Sequence, residues 1–402
     1  MSIHGSSPSF KKGYKFPIYP TAAQEELLNK TAGCCRYVYN KALAESKKAY
    51  VDYLVRVKTQ IFNKPDVPDV TGYAHANKLS NYRADKDSLW LKEISSVALQ
   101  QSLINLGAAY TSFFKKRSGF PKFKSRHDKQ SFRLTNSGFS MKDGIFTVAK
   151  LDTPIKVVLS RELPSTPSSV VISKDTTGKW YASFICEYKP AKTTGTKISG
   201  IDLGIKDFLV TSDGTKLPNF RYLKSYQQQL KRAQQSLSRC KKGSKNRTKA
   251  RLKVATIHAR ISNCRSDFLH KTSRNLINES QVLGIENLVV KNMVKNRKLS
   301  KAISDTSWSK FKEFLLYKAV ESQHCTIVIV DTYFPSSHLC SATGEKLDRK
   351  LKLSERSWLC PHCGQVHDRD INAAINIKNE AIYTLATIKT VDARIVLGAS
   401  KR

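Results

Sequence analysis

Residues 360–377 read CPHCGQVHDRDINAAINI, and no other stretch limits the fold of this chain so tightly. Cys360 and Cys363 have the spacing of a metal knuckle, and Gly364 stands where such a turn reverses. His367, Asp368 and Asp370 follow at once, and then a small-residue run with helical spacing. A structural zinc turn has no need of the acids. A catalytic carboxylate has no need of the thiols. The combination is best read as a metal-held loop that delivers Asp370 on the start of a helix.

Two other acids sit in similar company: Asp202 in GIDLG and Glu286 in GIENL. Each interrupts an apolar run beside small residues, where a half-buried carboxylate is costly unless it binds metal or accepts hydrogen bonds. Taken singly, each reads as a hydrogen-bonded strand acid. The charge balance changes that reading. Lys and Arg number 69 against 32 Asp and Glu, a formal net charge of +37, which points to a polyanionic partner. Three carboxylates at neighbouring strand and helix ends suit two Mg²⁺ or Mn²⁺ ions. Such a pair hydrolyses phosphodiesters, one ion acidifying the attacking water and the other stabilising the leaving 3′ oxygen. Asp202 is the expected bridging ligand, Asp368 supports the site from beside it, and Arg369 contacts the scissile or adjacent phosphate.

Elsewhere, KGYKFPIY (12–19) reads as a strand stopped by Pro20. Thr21 with Gln24 forms a capping-box pattern ahead of two helices broken near Gly33. Residues 55–86 read as a loop or insert. A helix over 94–114 should pack through Val97, Gln101, Ile104, Ala108 and Phe113. In 115–133, Lys and Arg alternate with Phe120, Phe123 and Phe132, a pattern for phosphates and stacked bases or for a basic loop pinned by buried rings. Alternating runs over 134–190 predict a small antiparallel barrel or sheet. Residues 222–280 predict a helical hairpin; between Lys231 and Arg274 it carries 14 Lys or Arg and one acid, Asp267, as a surface following a phosphate backbone would. No apolar run is long enough to span a bilayer, no secretory signal is evident at the start, and nine cysteines over this length indicate thiols in a reducing compartment.

YKFPIYPTAAQ, GCCRYVYNKAL, FPKFKSRHDKQSF, GIDLGIKDFLVTSDG, GIENL and CPHCGQVHDRDINAAINI, in that order, resemble the TnpB family. These are accessory proteins of transposons, related to type V CRISPR effectors and the Fanzor proteins, and the likeness runs from about Lys12 to Ile377. It implies an RNA-guided DNA endonuclease of multidomain α/β plus β-barrel architecture. Residues 1–20 would give the first strand of a wedge barrel, 21–118 a helical recognition domain, 119–190 the rest of the barrel, and 191–197 a linker. A RuvC-like, RNase H-type nuclease domain would occupy 198–335 and 367–385, interrupted by a zinc-ribbon-like element at 336–366, with 386–402 as a flexible tail. The catalytic acids carry over onto Asp202, Glu286 and Asp370. The implied partners are a guide RNA from the transposon end and double-stranded target DNA bearing a short flanking motif, with no membrane, the chain acting as a monomer in a bacterial or archaeal cytoplasm at the nucleoid. Tyr14, Lys15, Lys122, Lys124 and Gln130 are the expected nucleic-acid contacts.

In one respect the chain departs from the family. The family pattern has two Cys-x-x-Cys pairs, and here the first reads CSATG, so Cys340 remains and Thr343 replaces its partner. Thr is a poor zinc ligand. Either His338, His362 or His367 completes a site with Cys340, Cys360 and Cys363, or three thiolates hold zinc weakly, or packing alone holds the loop. Zinc is the favoured outcome. The segment LDRKLKLSERSW between the halves is expected to be mobile. The rival functions are a guided repressor without cleavage, a transposase of RNase H type, and a plain RNA-binding protein; the intact acid set argues against the first and third.

Overall fold

β1 (Phe10–Tyr19) forms because Tyr14, Phe16 and Ile18 alternate inward while Lys11, Gly13 and Lys15 face out. Pro20 ends it, and the capping box starts α1 (Ala22–Thr59): the Thr21 amide donates to Gln24 Oε1 at 3.0 Å and the Gln24 amide donates to Thr21 Oγ1 at 3.3 Å. The computed structural model describes residues 9–59, 66–190, 194–349, 351, 355–387 and 394–397. They divide into two compact units, Met1–Lys189 and Pro190–Arg402.

In the first unit, α1 runs unbroken through Gly33, where two helices were expected. A helical glycine costs about 1 kcal/mol, and burial of Leu28, Cys35, Val38, Tyr39 and Leu43 along one face outweighs it. Part of the expected loop over 55–86 is also helical. α1 continues to Thr59, and α2 (Gly72–Asn77) and α3 (Leu79–Ala84) bury His75, Ala76, Leu79 and Tyr82; Thr71 caps α2 by accepting from the Ala74 amide. Residues 60–65 lie outside the described residues. α4 (Ser96–Phe114) shifts the expected packing face. It buries Ala98, Leu99, Ser102, Leu103, Leu106, Gly107 and Tyr110, whereas the expected Val97, Gln101, Ile104 and Phe113 are only partly buried, Val97 against the same core, and Ala108 is exposed. Both sets have helical spacing on a helix apolar around most of its girth, and the continuous Leu99–Leu103–Leu106–Tyr110 ridge turns inward.

β1 lies within a five-stranded antiparallel sheet. The other strands are β2 (Ser131–Thr135), β5 (Lys156–Val157), β6 (Ser169–Lys174) and β7 (Trp180–Tyr188), in the order β2-β6-β7-β1-β5. A hairpin of β3 (Phe139–Lys142) and β4 (Ile145–Val148) adjoins it through a bridge between Phe146 and Ile155.

The second unit is a six-stranded mixed sheet flanked by helices. β8 (Lys197–Leu203), β9 (Asp207–Thr211) and β10 (Lys216–Pro218) run antiparallel. α5 (Tyr222–Ser225), α6 (Gln227–Arg239) and α7 (Lys245–Glu279) lead to β11 (Ser280–Glu286). Then come α8 (Val290–Met293), α9 (Ser300–Thr306), α10 (Trp308–Ser322) and β12 (Thr326–Val330). The small hairpin of β13 (Ser357–Leu359) and β14 (Val366–Asp368) passes directly into α11 (Arg369–Thr387). The sheet order is β10-β9-β8-β11-β12-β15, with β8, β11, β12 and β15 (Ile395–Leu397) parallel. β15 falls in the stretch expected to be a flexible tail: Val396 pairs with Val328 and is buried beside Ala381, a sheet edge with its own apolar contact. The remainder of that stretch from 388 onward, linker residues 191–193, and 350 and 352–354 of the expected mobile connection lie outside the described residues.

α11 covers one face of the sheet, and at two glycines its backbone comes close to the strands. Gly200 and Gly284 are register partners on β8 and β11. A Cβ on Gly200 would stand 2.2 Å from the Ala374 carbonyl oxygen, and one on Gly284 2.9 Å from that of Ile377. The opposite face packs Ile201, Leu283, Ile285, Ile327 and Ile329 against Leu269, Ile277, Phe311 and Leu315.

Candidate active site and metal centre

The strand register builds the acid cluster. Side chains alternate along a strand, so Asp202 shares the face of Gly200, and Glu286 shares the face of Gly284. Because those glycines are partners, the two acids stand side by side, two residues beyond them. Each raises the cost of ionising the other, most strongly at Asp202. Ser336 donates a hydrogen bond to Glu286 Oε1 at 3.0 Å. Asp370, in the first turn of α11, brings a third carboxylate to the pair.

Electrostatics sets this cluster apart. Burial, then the charges of Glu286 and Asp370, push the Asp202 carboxyl well above the ordinary carboxylate range, with Arg369 opposing. Burial also raises Glu286, partly offset by hydrogen bonding with Ser336 and Asp202. Both residues keep some solvent contact, so the site is open to a ligand. Three mutually repelling carboxylates are a donor set suited to hard divalent cations.

Asp368 and Arg369 flank the third acid. Asp368 Oδ1 accepts from the amides of Asp370 and Ile371, both at 3.1 Å, so it caps α11, while Lys216 pairs with its other oxygen. Sequence reasoning missed Arg356, whose Nη1 lies 3.2 Å from both carboxylate oxygens of Asp370. It also missed Ser336. Neither residue stands in a motif that marks it.

The thiols form a second cluster. The ligand atoms of Cys340, Cys360, Cys363 and His367 all lie within 4.8 Å of one another. Cys363 Sγ is 3.2 Å, and Cys340 Sγ 3.5 Å, from His367 Nε2. The donor types and their convergence fit a tetrahedral Cys₃His zinc site. Of the three candidate histidines, His367 is therefore the one brought to the thiols; His338 and His362 are outside the group.

Thr343 explains how the altered pair keeps its shape. In CSATGE the Cys340 amide donates to the Glu345 carbonyl and the Gly344 amide to the Cys340 carbonyl, at 2.9 and 2.8 Å. In CPHCGQ the Cys360 amide donates to Gln365 and Gly364 to Cys360, both at 2.9 Å. Gly344 and Gly364 both adopt the left-handed φ that closes such a turn. Thr343 thus occupies the place that Cys363 holds in the other turn. Burial alone would raise the Cys340 thiol, but hydrogen bonds from Thr343 and the Ala342 amide bring it down to about 6.

Two buried asparagines of α11 tie the clusters together. Asn372 accepts from the Ser341 amide at 2.8 Å and donates to the Leu339 carbonyl at 2.7 Å. Asn376, one turn on, donates to the carbonyls of Ser336 and Leu339, both at 2.8 Å. The chain beside Cys340 and the chain carrying Ser336 are clamped to the helix that carries Asp370.

In the first unit the expected nucleic-acid residues lie on a basic, aromatic surface. The Lys15 ammonium sits 3.9 Å from the Tyr181 ring centroid, and burial and Lys129 lower its pKa. Lys124 sits 3.9 Å from the Tyr39 ring centroid, its backbone held by Asn40 through two hydrogen bonds. Gln130 Oε1 accepts from Arg36 at 2.9 Å. Lys122 is exposed, and Tyr14 is buried under Arg161. Phe132 is core, whereas Phe120 and Phe123 are exposed beneath the Lys47 ammonium.

Comparison with known proteins reaches both units. Residues 10–52 match a family model described as a helix-turn-helix domain, although the structure has a strand and one continuous helix there. Residues 172–297 match one described as a probable transposase, and 308–377 one described as a Cas12f1-like TNB domain. A putative RNA-guided DNA endonuclease of Streptomyces pristinaespiralis is 40% identical over 373 residues, covering 91% of this chain and 88% of that protein. The putative RNA-guided DNA endonuclease InsQ of Escherichia coli K12 is 29% identical over 387 residues, 91% of each chain. A TnpB-like protein of Acanthamoeba polyphaga mimivirus is 22% identical over 398 residues, 92% of this chain and 73% of its own. With 40% identity maintained over 91% of its length, the chain belongs to the TnpB family.

Proposed function

We propose that this protein is an RNA-guided DNA endonuclease that cuts target DNA beside a short flanking motif, with Asp202, Glu286 and Asp370 as its catalytic acids. The observation that carries the reading is the convergence of three carboxylates, Asp202 and Glu286 side by side on paired strands and Asp370 in the first turn of α11. Such repulsion has a use where divalent cations relieve it. Bound Mg²⁺ or Mn²⁺ would supply an acidified water and charge compensation at the phosphorus, held by these three residues.

The chain's own groups do the rest. Asp202, on β8, stands beside Glu286 of β11 and would hold an ion jointly with it. Ser336 fixes one oxygen of Glu286, Asp368 fixes the first turn of α11, and Arg369 faces the phosphate. Arg356 balances Asp370 until the site is loaded. Zinc on Cys340, Cys360, Cys363 and His367 would lock the two knuckles, and Asn372 and Asn376 transmit that rigidity to Asp370. The sheet, helices and basic aromatic surface of the first unit act as the wedge barrel and recognition lobe, with Lys15, Lys122, Lys124 and Gln130 toward the flanking DNA and Tyr14 beneath them. Sequence choice rests on base pairing between guide and target.

The test is to express the protein with its native flanking DNA and sequence the RNA that co-purifies. The complex is then offered a plasmid library with the matching target beside randomised flanks, with Mg²⁺ or with EDTA. Cutting with Mg²⁺ alone, beside one motif and abolished by Asp202→Ala, is the expected result. Stable target binding without cutting would make the protein a repressor. The absence of any discrete RNA would overturn the guided reading.

A further inference from the structure

The helical hairpin of α6 and α7 contains a feature that the acid and thiol clusters leave unused. Between the two helices lies an open groove of about 640 Å³. Arg232 and Gln229 line one wall, with Ser236; Lys249, Lys253 and Arg260 line the other. Its floor is apolar, formed by Ala233, Leu252 and Ile257, and Leu252 remains 46% exposed. No carboxylate lines it, and among the described residues none of the four cations forms an ion pair.

The groove is a consequence of how the hairpin is built. Leu230 and Ala233 of α6 turn toward α7, and Arg247 locks the bend by donating to the carbonyls of Leu237 and Cys240 at 3.0 and 3.1 Å. Ser244 caps α7 through the Arg247 amide. Lys249, Lys253 and Arg260 recur at i, i+4 and i+11, so they share one stripe of α7. A row of cations merely solvating a helix has no reason to leave leucine open between them. Cations on both walls over an apolar floor suit a strand whose phosphates pair with the walls while its sugars and bases rest on the floor.

We propose that this groove is a binding site for a single-stranded stretch of the guide RNA. This rests on the guided reading above and assigns part of that RNA a place on the second unit. RNA is favoured over DNA by the uncharged groups beside the cations. Gln229 and Ser236 offer hydrogen-bonding partners for a ribose 2′-hydroxyl, which DNA lacks.

The experiment uses the full chain. Wild-type protein and the triple variant Arg232→Gln/Lys249→Gln/Lys253→Gln are titrated with the co-purifying guide RNA across a range of salt. Each lost phosphate contact on a single strand lowers the slope of log K against log salt by about 0.7. The variant should therefore show a slope smaller by about 2 and an affinity reduced at least ~10-fold at moderate salt. An unchanged slope and affinity would overturn the proposal. As a check independent of affinity, guide RNA carrying photo-crosslinkable uridines should attach to peptides from 229–236 and 249–260 in the wild-type complex. Crosslinks from those peptides to labelled target DNA, with none to the guide, would also overturn it. The variant changes only exposed side chains, so its thermal melt should match wild type. If wild type itself retains no discrete RNA, the guided reading fails; if wild type binds and the variant binds equally, only the groove assignment fails.

Discussion

His367 and Asp370 belong to one tetrapeptide, HDRD, yet the two clusters they join are held by opposite means. The thiol cluster is local. Two hydrogen-bonded turns place Cys340, Cys360 and Cys363, and a residue of the adjoining strand lies close enough to supply the fourth ligand. The acid cluster is assembled from β8, β11 and α11, elements far apart in sequence, and backbone register fixes it. One cluster lost a family ligand to Thr343 and found a substitute within reach. In the other, the neighbouring carboxylate among the described residues, Asp368, is committed to capping α11 and to Lys216. Tolerance of replacement thus follows from how a site is built.

The sharpest way to break this contrast is Asp202→Ala. Cleavage should fall by about 10²–10³-fold or more while zinc content stays at wild-type level, measured by turnover and metal analysis on the same sample. Equal loss of zinc would mean that the clusters are not separately held. Next in size is His367→Ala, expected to lose stoichiometric zinc and lower the melting temperature. Adding Thr343→Cys to it should restore both, because the first turn already has the backbone geometry of the second. Failure of that rescue would show that His367 has a task besides ligation.

Much of this arrangement is legible from sequence, for identifiable reasons. GIDLG and GIENL each place glycine two residues before an acid, and period two then sets glycine and acid on one face. The capping box at Thr21 and Gln24 is local chemistry and was equally readable. Long-range partners were not. Arg356 and Ser336 meet the acids only after the chain has folded back, and nothing adjacent to either marks it. Whether any histidine joins the three thiols is open in the sequence, and bringing His367 to them needs the β13–β14 hairpin. On α4 the periodicity is right and the face is displaced toward the Leu99–Tyr110 ridge, since a helix apolar nearly all round does not reveal which stripe goes deepest into the core. The hydrophobic triplet Ile395–Leu397 was too short to outweigh the weak patterning around it.

Two smaller effects sharpen the comparison. Asn372→Ala strands the Ser341 amide, at a cost of about 1–3 kcal/mol for a group left without a partner, and leaves the Leu339 carbonyl to Asn376 alone. Hydrogen exchange should quicken around 336–341, and cleavage should fall although no acid or thiol is touched. An unchanged exchange pattern would remove the proposed link between the clusters. Asp202→Asn should stabilise the metal-free protein in a pH-dependent way. The native Asp202 carboxyl holds its proton more tightly than in the unfolded chain, so wild type loses stability as pH rises above the ordinary carboxylate range toward the raised native value. The variant has no such proton to lose. Its melting-temperature advantage should be absent near pH 3, grow toward neutrality, and shrink when Mg²⁺ is added to wild type. An advantage independent of pH would point to packing instead.

The contact of α11 with Gly200 and Gly284 has a consequence for how such a protein can change over generations. A helix seated on side chains shifts whenever a neighbour gains or loses a methylene, and it carries its functional groups along. At Gly200 backbone rests on backbone alone, and at Gly284 the helix adds only the Ala381 methyl and the Ile377 side chain, so the separation between the first turn of α11 and the acid-bearing strands depends little on side-chain volume there. The isoleucines and leucines on the far face of the sheet are free to drift without detuning the carboxylates. Variation in this region should therefore fall heavily on the far side of the sheet and spare two glycines that touch no substrate.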